Sequence, residues 1–200
     1  MPGAAVLTPA IVVGVIPYGE TSRIVRLATR DLGVQSAIAK GALRPRSRFG
    51  TTLQLLAEGT AHVLVGRGDL ATLTAFDTAQ LHLGLARSGE NFRAASALAA
   101  LAGRFAPPIP QGEVYAAITT GVALLEAAPE EAEVVVGLLV LWRLLAELGF
   151  APELGRCVRD GEALEPGPIA FSVDAGGALC RRCTAGHPPI QLAPADREAL

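Results

Sequence analysis

LATLTAF, residues 70–76, alternates residue by residue: Ala71, Leu73 and Ala75 fall on one face of an extended chain, Thr72 and Thr74 on the other. A period of two belongs to a strand, and the segments upstream also read as short strands separated by turn signals. GRGD at 66–69 is a turn separating 70–76 from the strand-like 62–65, and RDLG at 30–33 separates 23–29 from 34–39. Further back, AIVVGVI at 10–16 is a compact run rich in β-branched residues. This series of short strands within residues 10–80 predicts a small closed barrel of OB or SH3 type, because closure removes the exposed edges of so short a sheet.

After Leu81 the period changes. Phe92, Ala95, Ala99, Ala102 and Phe105 follow three-and-four spacing, and the prolines at 107, 108 and 110 stop that helix. Val114, Ile118, Val122 and Leu125 make a second stripe over residues 113–127. Pro129 opens a third helix that ends at Gly149, with Glu130, Glu131 and Glu133 near its positive end. It is apolar nearly all round from 134 to 148, which predicts the buried centre of a small bundle, with Trp142 in the core. The fold class is therefore α+β and multidomain: a barrel over 1–80, then a helical domain over 81–200.

Between β-like segments lies AIAKGALRPRSRFG, residues 37–50. Lys40, Arg44, Arg46 and Arg48 fall within nine residues with no acid among them, and Gly41, Pro45 and Gly50 keep the stretch out of a helix. Cations held on a loop neutralise phosphates and release condensed counterions, which supports salt-sensitive nucleic-acid binding. Phe49 either offers bases a ring to stack on or turns into the core beside a solvated loop.

The whole-chain charge of −2 conceals this. Residues 1–80 carry eight Lys/Arg against five Asp/Glu, and residues 81–200 carry nine against fourteen.

From residue 151 prolines and glycines leave little room for a helix, and the segment is too poor in apolar residues to hold itself together without a staple. Cys180-Arg181-Arg182-Cys183 is a zinc half-knuckle, and Cys157 lies upstream of it with twenty-two residues between. Asp160 stands where the partner of Cys157 is expected. Asp160 or His187 completes the set around three sulfurs, or three buried thiols remain in a fold that has lost its zinc.

Half the residues are apolar and 18% charged, enough for a real core. The apolar N-terminus lacks a cationic n-region, and the longest other apolar run, residues 134–142, is far short of a bilayer span. A cytoplasmic protein without membrane contact is expected. The three histidines, at 62, 82 and 187, sit in unrelated segments, and no nucleophile-base set, P-loop or paired carboxylates appear, so no enzyme is expected.

Three pieces together resemble one family. Residues 17–25 (PYGETSRIV), 39–50 (AKGALRPRSRFG) and 66–73 (GRGDLATL) resemble the signature of the bacterial RecO recombination-repair proteins. LGFAPELGRC at 148–157 and GGALCRRC at 176–183 resemble that family's entry to and exit from its zinc finger. The resemblance implies an N-terminal OB-fold barrel, a helical domain with a zinc-finger-like insertion at about 152–190, and no catalytic site. It implies a DNA repair and recombination mediator that binds single- and double-stranded DNA and anneals strands coated by single-strand binding protein. With RecR, such a protein assists loading of RecA; the alternative is an adaptor of the same pathway with little DNA binding of its own. Arg23, Lys40, Arg44, Arg46 and Arg48 would contact phosphates and Tyr18 and Phe49 would meet bases, while Cys157, Asp160, Cys180 and Cys183 would hold zinc. Asp160 departs from the family's usual second cysteine.

Overall fold

The computed structural model describes residues 4–50, 52–66, 68, 70–184 and 190–199. The chain divides into two compact units, Met1–Gly149 and Phe150–Leu200.

The first unit begins with strands β1 (Ala4–Tyr18), β2 (Ser22–Thr29), β3 (Gly33–Ala39), β4 (Glu58–Val65) and β5 (Leu70–Gln80). They hydrogen-bond in the order β1-β2-β3-β5-β4, and β4 pairs back onto β1, so the sheet closes into a barrel. Every pairing is antiparallel except a short parallel contact of Ser36–Ile38 with Leu70–Thr72.

The unbroken apolar run in β1 has a structural reason. Ala10 and Val12 point into the barrel with Leu27, Val63 and Leu73, whereas Ile11 and Val13 point outward into a second core shared with helices.

The alternation of residues 70–76 holds only as far as Leu73. The β4–β5 register slips there: Val63 faces Leu73, His62 faces Ala75, and Thr74 is the extra residue, its hydroxyl donating to the His62 carbonyl at 3.0 Å. The inward position therefore passes from Ala75, as the pattern predicts, to Phe76, which is buried.

The strand-to-helix change falls where the sequence places it, with β5 ending at Gln80 and a 3-10 turn beginning at Leu83. Helices α1 (Gly89–Phe105) and α2 (Gly112–Ala127) follow, then a 3-10 turn (Glu130–Ala132) and α3 (Glu133–Glu147). Ser88 caps α1 by accepting the Asn91 N–H. Barrel and helices share one core: Ile11, Val13, Ala28 and Val34 meet Leu98, Ala102, Ile118 and Leu125. His82 fastens them further, its buried ring between Glu126 (2.8 Å) and Glu58 (3.3 Å). The β2–β3 turn docks on the α1–α2 connection: Val34 donates to the Pro107 carbonyl, and Gly33, at φ +71°, has the Ile109 backbone where a Cβ would lie.

Two expectations for the helices are corrected. The buried stripe of α1 is carried by Ala95, Leu98, Ala99 and Ala102, while Phe92 and Phe105 at its ends are about half exposed. Helix α3 is not the centre of a bundle: only Gly137, Val140 and Leu144 are buried, and Val134, Val135, Leu138 and Leu139 are 58–65% exposed. Within this unit α3 packs against α1 and α2 on one side only, with Gly137 against Ala94, and three short helices cannot enclose one of their own number. Trp142 is half-buried. No helix among the described residues is long and apolar enough to cross a membrane.

The second unit holds a small sheet of β6 (Ile169–Ser172), β7 (Gly177–Leu179) and β8 (Ile190–Leu192) in the order β7-β6-β8, with helical turns α4 (Arg181–Thr184) and α5 (Pro194–Ala199). Its core is small: Cys157, Leu179 and Cys180, with Val158, Leu164 and Ala170 packed against them.

Candidate nucleic-acid interface and metal centre

Three strand ends meet at one rim of the barrel. Tyr18 closes β1 opposite Ser22, Arg23 in β2 faces Ala39 at the end of β3, and Lys40 follows directly. The connection from β3 to β4 then runs as consecutive tight turns: Arg44 donates to the Gly41 carbonyl, Ser47 to Arg44, Gly50 to Ser47 and Thr52 to Phe49. The β1–β2 turn ties to it, since Leu43 donates to the Thr21 carbonyl at 2.8 Å and Gly41 to the Ser22 hydroxyl.

The turns sort side chains by chemistry. Ala42, Phe49 and Leu53 point inward and are buried with the barrel core; Lys40, Arg44, Arg46 and Arg48 point outward and are exposed. Among the described residues no carboxylate forms an ion pair with any of these four.

Phe49 is therefore corrected as a stacking residue. At 1% exposure it is an anchor, gaining about 1.5–3 kcal/mol from burial, and the Arg48 guanidinium lies 5.3 Å from its ring centroid. Arg23 is half-buried and donates through Nη1 to the Leu53 carbonyl at 2.9 Å, so part of its guanidinium fastens the loop. Tyr18 is half exposed on the same rim, and Ile16 in β1 and Leu43 in the loop are exposed as well. Those last two apolar residues had no signal in the sequence beyond ordinary strand and loop composition.

In the second unit the ligand atoms of Cys157, Asp160, Cys180 and Cys183 all lie within 4.8 Å of one another. A turn closed by the Gly161 N–H on the Cys157 carbonyl, with Gly161 at φ +76°, swings Asp160 back over Cys157. Cys180 follows β7, and the single turn of α4 places Cys183 beside it. His187 lies outside the described residues.

The carboxylate is fixed at both oxygens: Oδ1 accepts the Glu162 N–H at 3.1 Å, and Oδ2 accepts from Cys183 Sγ at 3.0 Å, Arg182 Nη2 at 2.9 Å and Cys180 Sγ at 3.3 Å. The Cys183 thiol, the Glu162 N–H and the Arg182 guanidinium hold Asp160 well below the usual carboxylate range. The same carboxylate pushes the Cys183 thiol up to about 12. Burial opposes ionisation of Cys157, but the backbone N–H groups of Cys180, Arg159 and Asp160 outweigh it and bring that thiol down. Backbone donors converging on a buried sulfur favour a thiolate. Three sulfurs and a pinned carboxylate oxygen within one ion's reach suit a tetrahedral divalent metal.

His62 and His82 are each paired with carboxylates, His62 with Asp77 at 2.7 Å on the barrel surface and His82 at the junction with α2. Neither pairs with a residue of the loop.

The chain is a closed five-stranded barrel with a cationic loop, continued by helices and a cysteine-rich unit, and two family models divide it where the barrel gives way to the helices, not after Gly149 where the two compact units part. Residues 3–82 match the N-terminal model of recombination protein O, and residues 87–191 match the C-terminal model. The chain belongs to the RecO family. It is 33% identical over 180 residues to a DNA repair protein RecO of Heliobacterium modesticaldum, covering 88% of this chain and 64% of that one. It is 31% identical over 179 residues to that of Rubrobacter xylanophilus, covering 90% and 71%. A third, from Anaeromyxobacter dehalogenans, is 31% identical over 199 residues, covering 95% and 75%. The chain thus spans about two thirds of the length of the first two relatives.

Proposed function

We propose that this protein mediates DNA repair and recombination by binding DNA, single- and double-stranded, on the basic loop of an OB-fold barrel, and by annealing complementary strands there. The observation that carries the reading is the loop itself: four exposed cations without carboxylate partners among the described residues, on a connection anchored from beneath by Phe49 and Leu53. Two strands brought to one protein repel each other through their phosphates; cations between them lower that repulsion so bases can pair. Lys40, Arg44, Arg46 and Arg48 supply the phosphate contacts, Arg23 contributes from the rim, and Tyr18 offers a ring to a base. Chemistry at a reacting atom is no part of this action.

RecR, single-strand binding protein and, indirectly, RecA are the partners, in the bacterial cytoplasm. Zinc held by Cys157, Asp160, Cys180 and Cys183 supplies folding energy to a unit with little apolar core of its own.

The test is annealing of two complementary labelled oligonucleotides by the wild-type chain and by the Arg44→Ala/Arg46→Ala/Arg48→Ala variant. Acceleration by the first and not by the second is expected. A chain that co-elutes with RecR but has no DNA affinity at low salt would instead support the adaptor role.

A further inference from the structure

Asp160 is the one donor of its set that needs orienting. A cysteine presents a single sulfur, whereas a carboxylate has two oxygens on a rotatable bond, and only one of them faces the three sulfurs here. That oxygen, Oδ2, is the one Arg182 holds at 2.9 Å, while Glu162 holds Oδ1. Arg182 sits between two of the cysteines in Cys180-Arg181-Arg182-Cys183, so the helical turn that carries two sulfurs also carries the group that fixes the oxygen.

We infer that Arg182 is the positioning residue that makes Asp160 the fourth metal ligand, by aiming Oδ2 at the sulfurs. The inference rests on the zinc reading above. When a divalent cation enters, the three thiols release three protons to solvent and no electron moves. Three thiolates and one carboxylate around a 2+ ion leave the centre at −2, the same charge as four thiolates would, so what sets Asp160 apart is the orientation Arg182 gives its oxygen. The guanidinium is an outer-shell partner of the kind that orients metal-bound carboxylates. A cysteine at 160 would need no such clamp, so the role of Arg182 exists only while residue 160 is an aspartate.

That dependence supplies the experiment. The full chain, kept reduced, is titrated with Co2+ and then Zn2+ against a chromophoric chelator, as wild type, Arg182→Ala, Asp160→Cys and the double variant. Wild type is expected to give tetrahedral Co2+ bands with thiolate charge transfer from three sulfurs, and Asp160→Cys to raise that intensity by about a third. Arg182→Ala should weaken Zn2+ binding by about tenfold or more with Asp160 in place, and leave affinity essentially unchanged in the Asp160→Cys chain, whose binding also shows that the arginine is dispensable for folding. Equal weakening in both backgrounds would reduce Arg182 to a general charge effect and overturn the inference. So would an Arg182→Ala chain that binds as tightly as wild type, or more tightly. A wild type that takes up neither ion overturns the zinc reading, and the role of Arg182 with it, an outcome distinct from a wild type that binds while Arg182→Ala binds equally well.

Discussion

Replacing Arg44, Arg46 and Arg48 with alanine removes three of the four exposed loop cations and no buried atom, so its effect on DNA binding can be worked out in advance. Each phosphate contact to single-stranded DNA adds about −0.7 to the slope of log affinity against log salt. Four contacts give a slope of about −2.8, so affinity should fall about 50-fold when salt rises fourfold, from about 50 to about 200 mM. Of the four loop cations the variant keeps Lys40, so the loop's share falls to a slope of about −0.7 and a loss of about threefold over the same range, any contribution of Arg23 being common to both chains. Fluorescence anisotropy with two labelled single strands of equal length and different sequence measures both slopes, and the change should be the same for the two sequences, because phosphates carry none. Stability should move little: the Arg48 contact with Phe49 is worth about 0.5–1 kcal/mol at an exposed site. Arg143→Ala, which removes an exposed cation on α3, is the control and should leave the slope alone. An unchanged slope in the triple variant, or the same loss in the control, would refute the assignment of the interface to this loop.

Tyr18→Ala should weaken single-strand binding by about 1–3 kcal/mol with no loss of stability, whereas Phe49→Ala should lower stability by about 3–5 kcal/mol, read from urea denaturation, because it empties the floor of the loop. Gly33→Ala forces a Cβ onto the Ile109 backbone at φ +71°, and should destabilise the barrel-helix junction more than Gly50→Ala, where nothing lies within 4 Å. Desolvation raises the Glu126 carboxyl, but His82, the Gly84 N–H and Gln80 outweigh it and leave it below its ordinary 4.5. A folded value below the unfolded one means that its contribution is fully present above pH about 4.5 and is lost as pH falls through the folded value. The stability gap between wild type and Glu126→Gln should therefore narrow on acidification, and a gap that widens would contradict the His82–Glu126 geometry.

How much could be read in the sequence follows from how local each signal is. The strands and their turns were legible because period and punctuation are local, and so was the cysteine spacing. The bulge at Thr74 was not: it depends on the partner strand, and it moves the inward position from Ala75 to Phe76 without changing the pattern of residue types. The same holds for α3. Its all-round apolar composition predicts burial, but composition does not count neighbours, and α3 has them on one side of its own unit only. Phe49 shows the converse. Its flanking arginines suggest an exposed ring, yet a loop of tight turns over a barrel mouth needs apolar feet, and Ala42, Phe49 and Leu53 are the residues available for it.

The net charge of −2 would, taken alone, argue against a polyanion as ligand, and the ion pairs show why that inference fails. Asp31 is engaged by Arg30 and Thr8, Asp77 by His62, Glu58 and Glu126 by His82, Glu90 by Arg93, Glu133 by Ser88 and Asn91, and Asp160 by Arg182. Each of these acids has a partner other than Lys40, Arg44, Arg46 and Arg48. At physiological salt the field of an exposed charge decays over about 8 Å. A phosphate arriving at the loop therefore responds to the cations within that distance and scarcely to the total. What decides binding is how many carboxylates sit inside the screening length of the loop, which the β1–β2 turn already approaches with Glu20, next to the Thr21 carbonyl that accepts from Leu43. Introducing one there, as Leu43→Asp between Lys40 and Arg44, should depress single-strand affinity far more than Val135→Asp on α3, although both change the net charge by the same single unit. Equal effects from the two would mean that overall charge, and not this loop, governs the encounter.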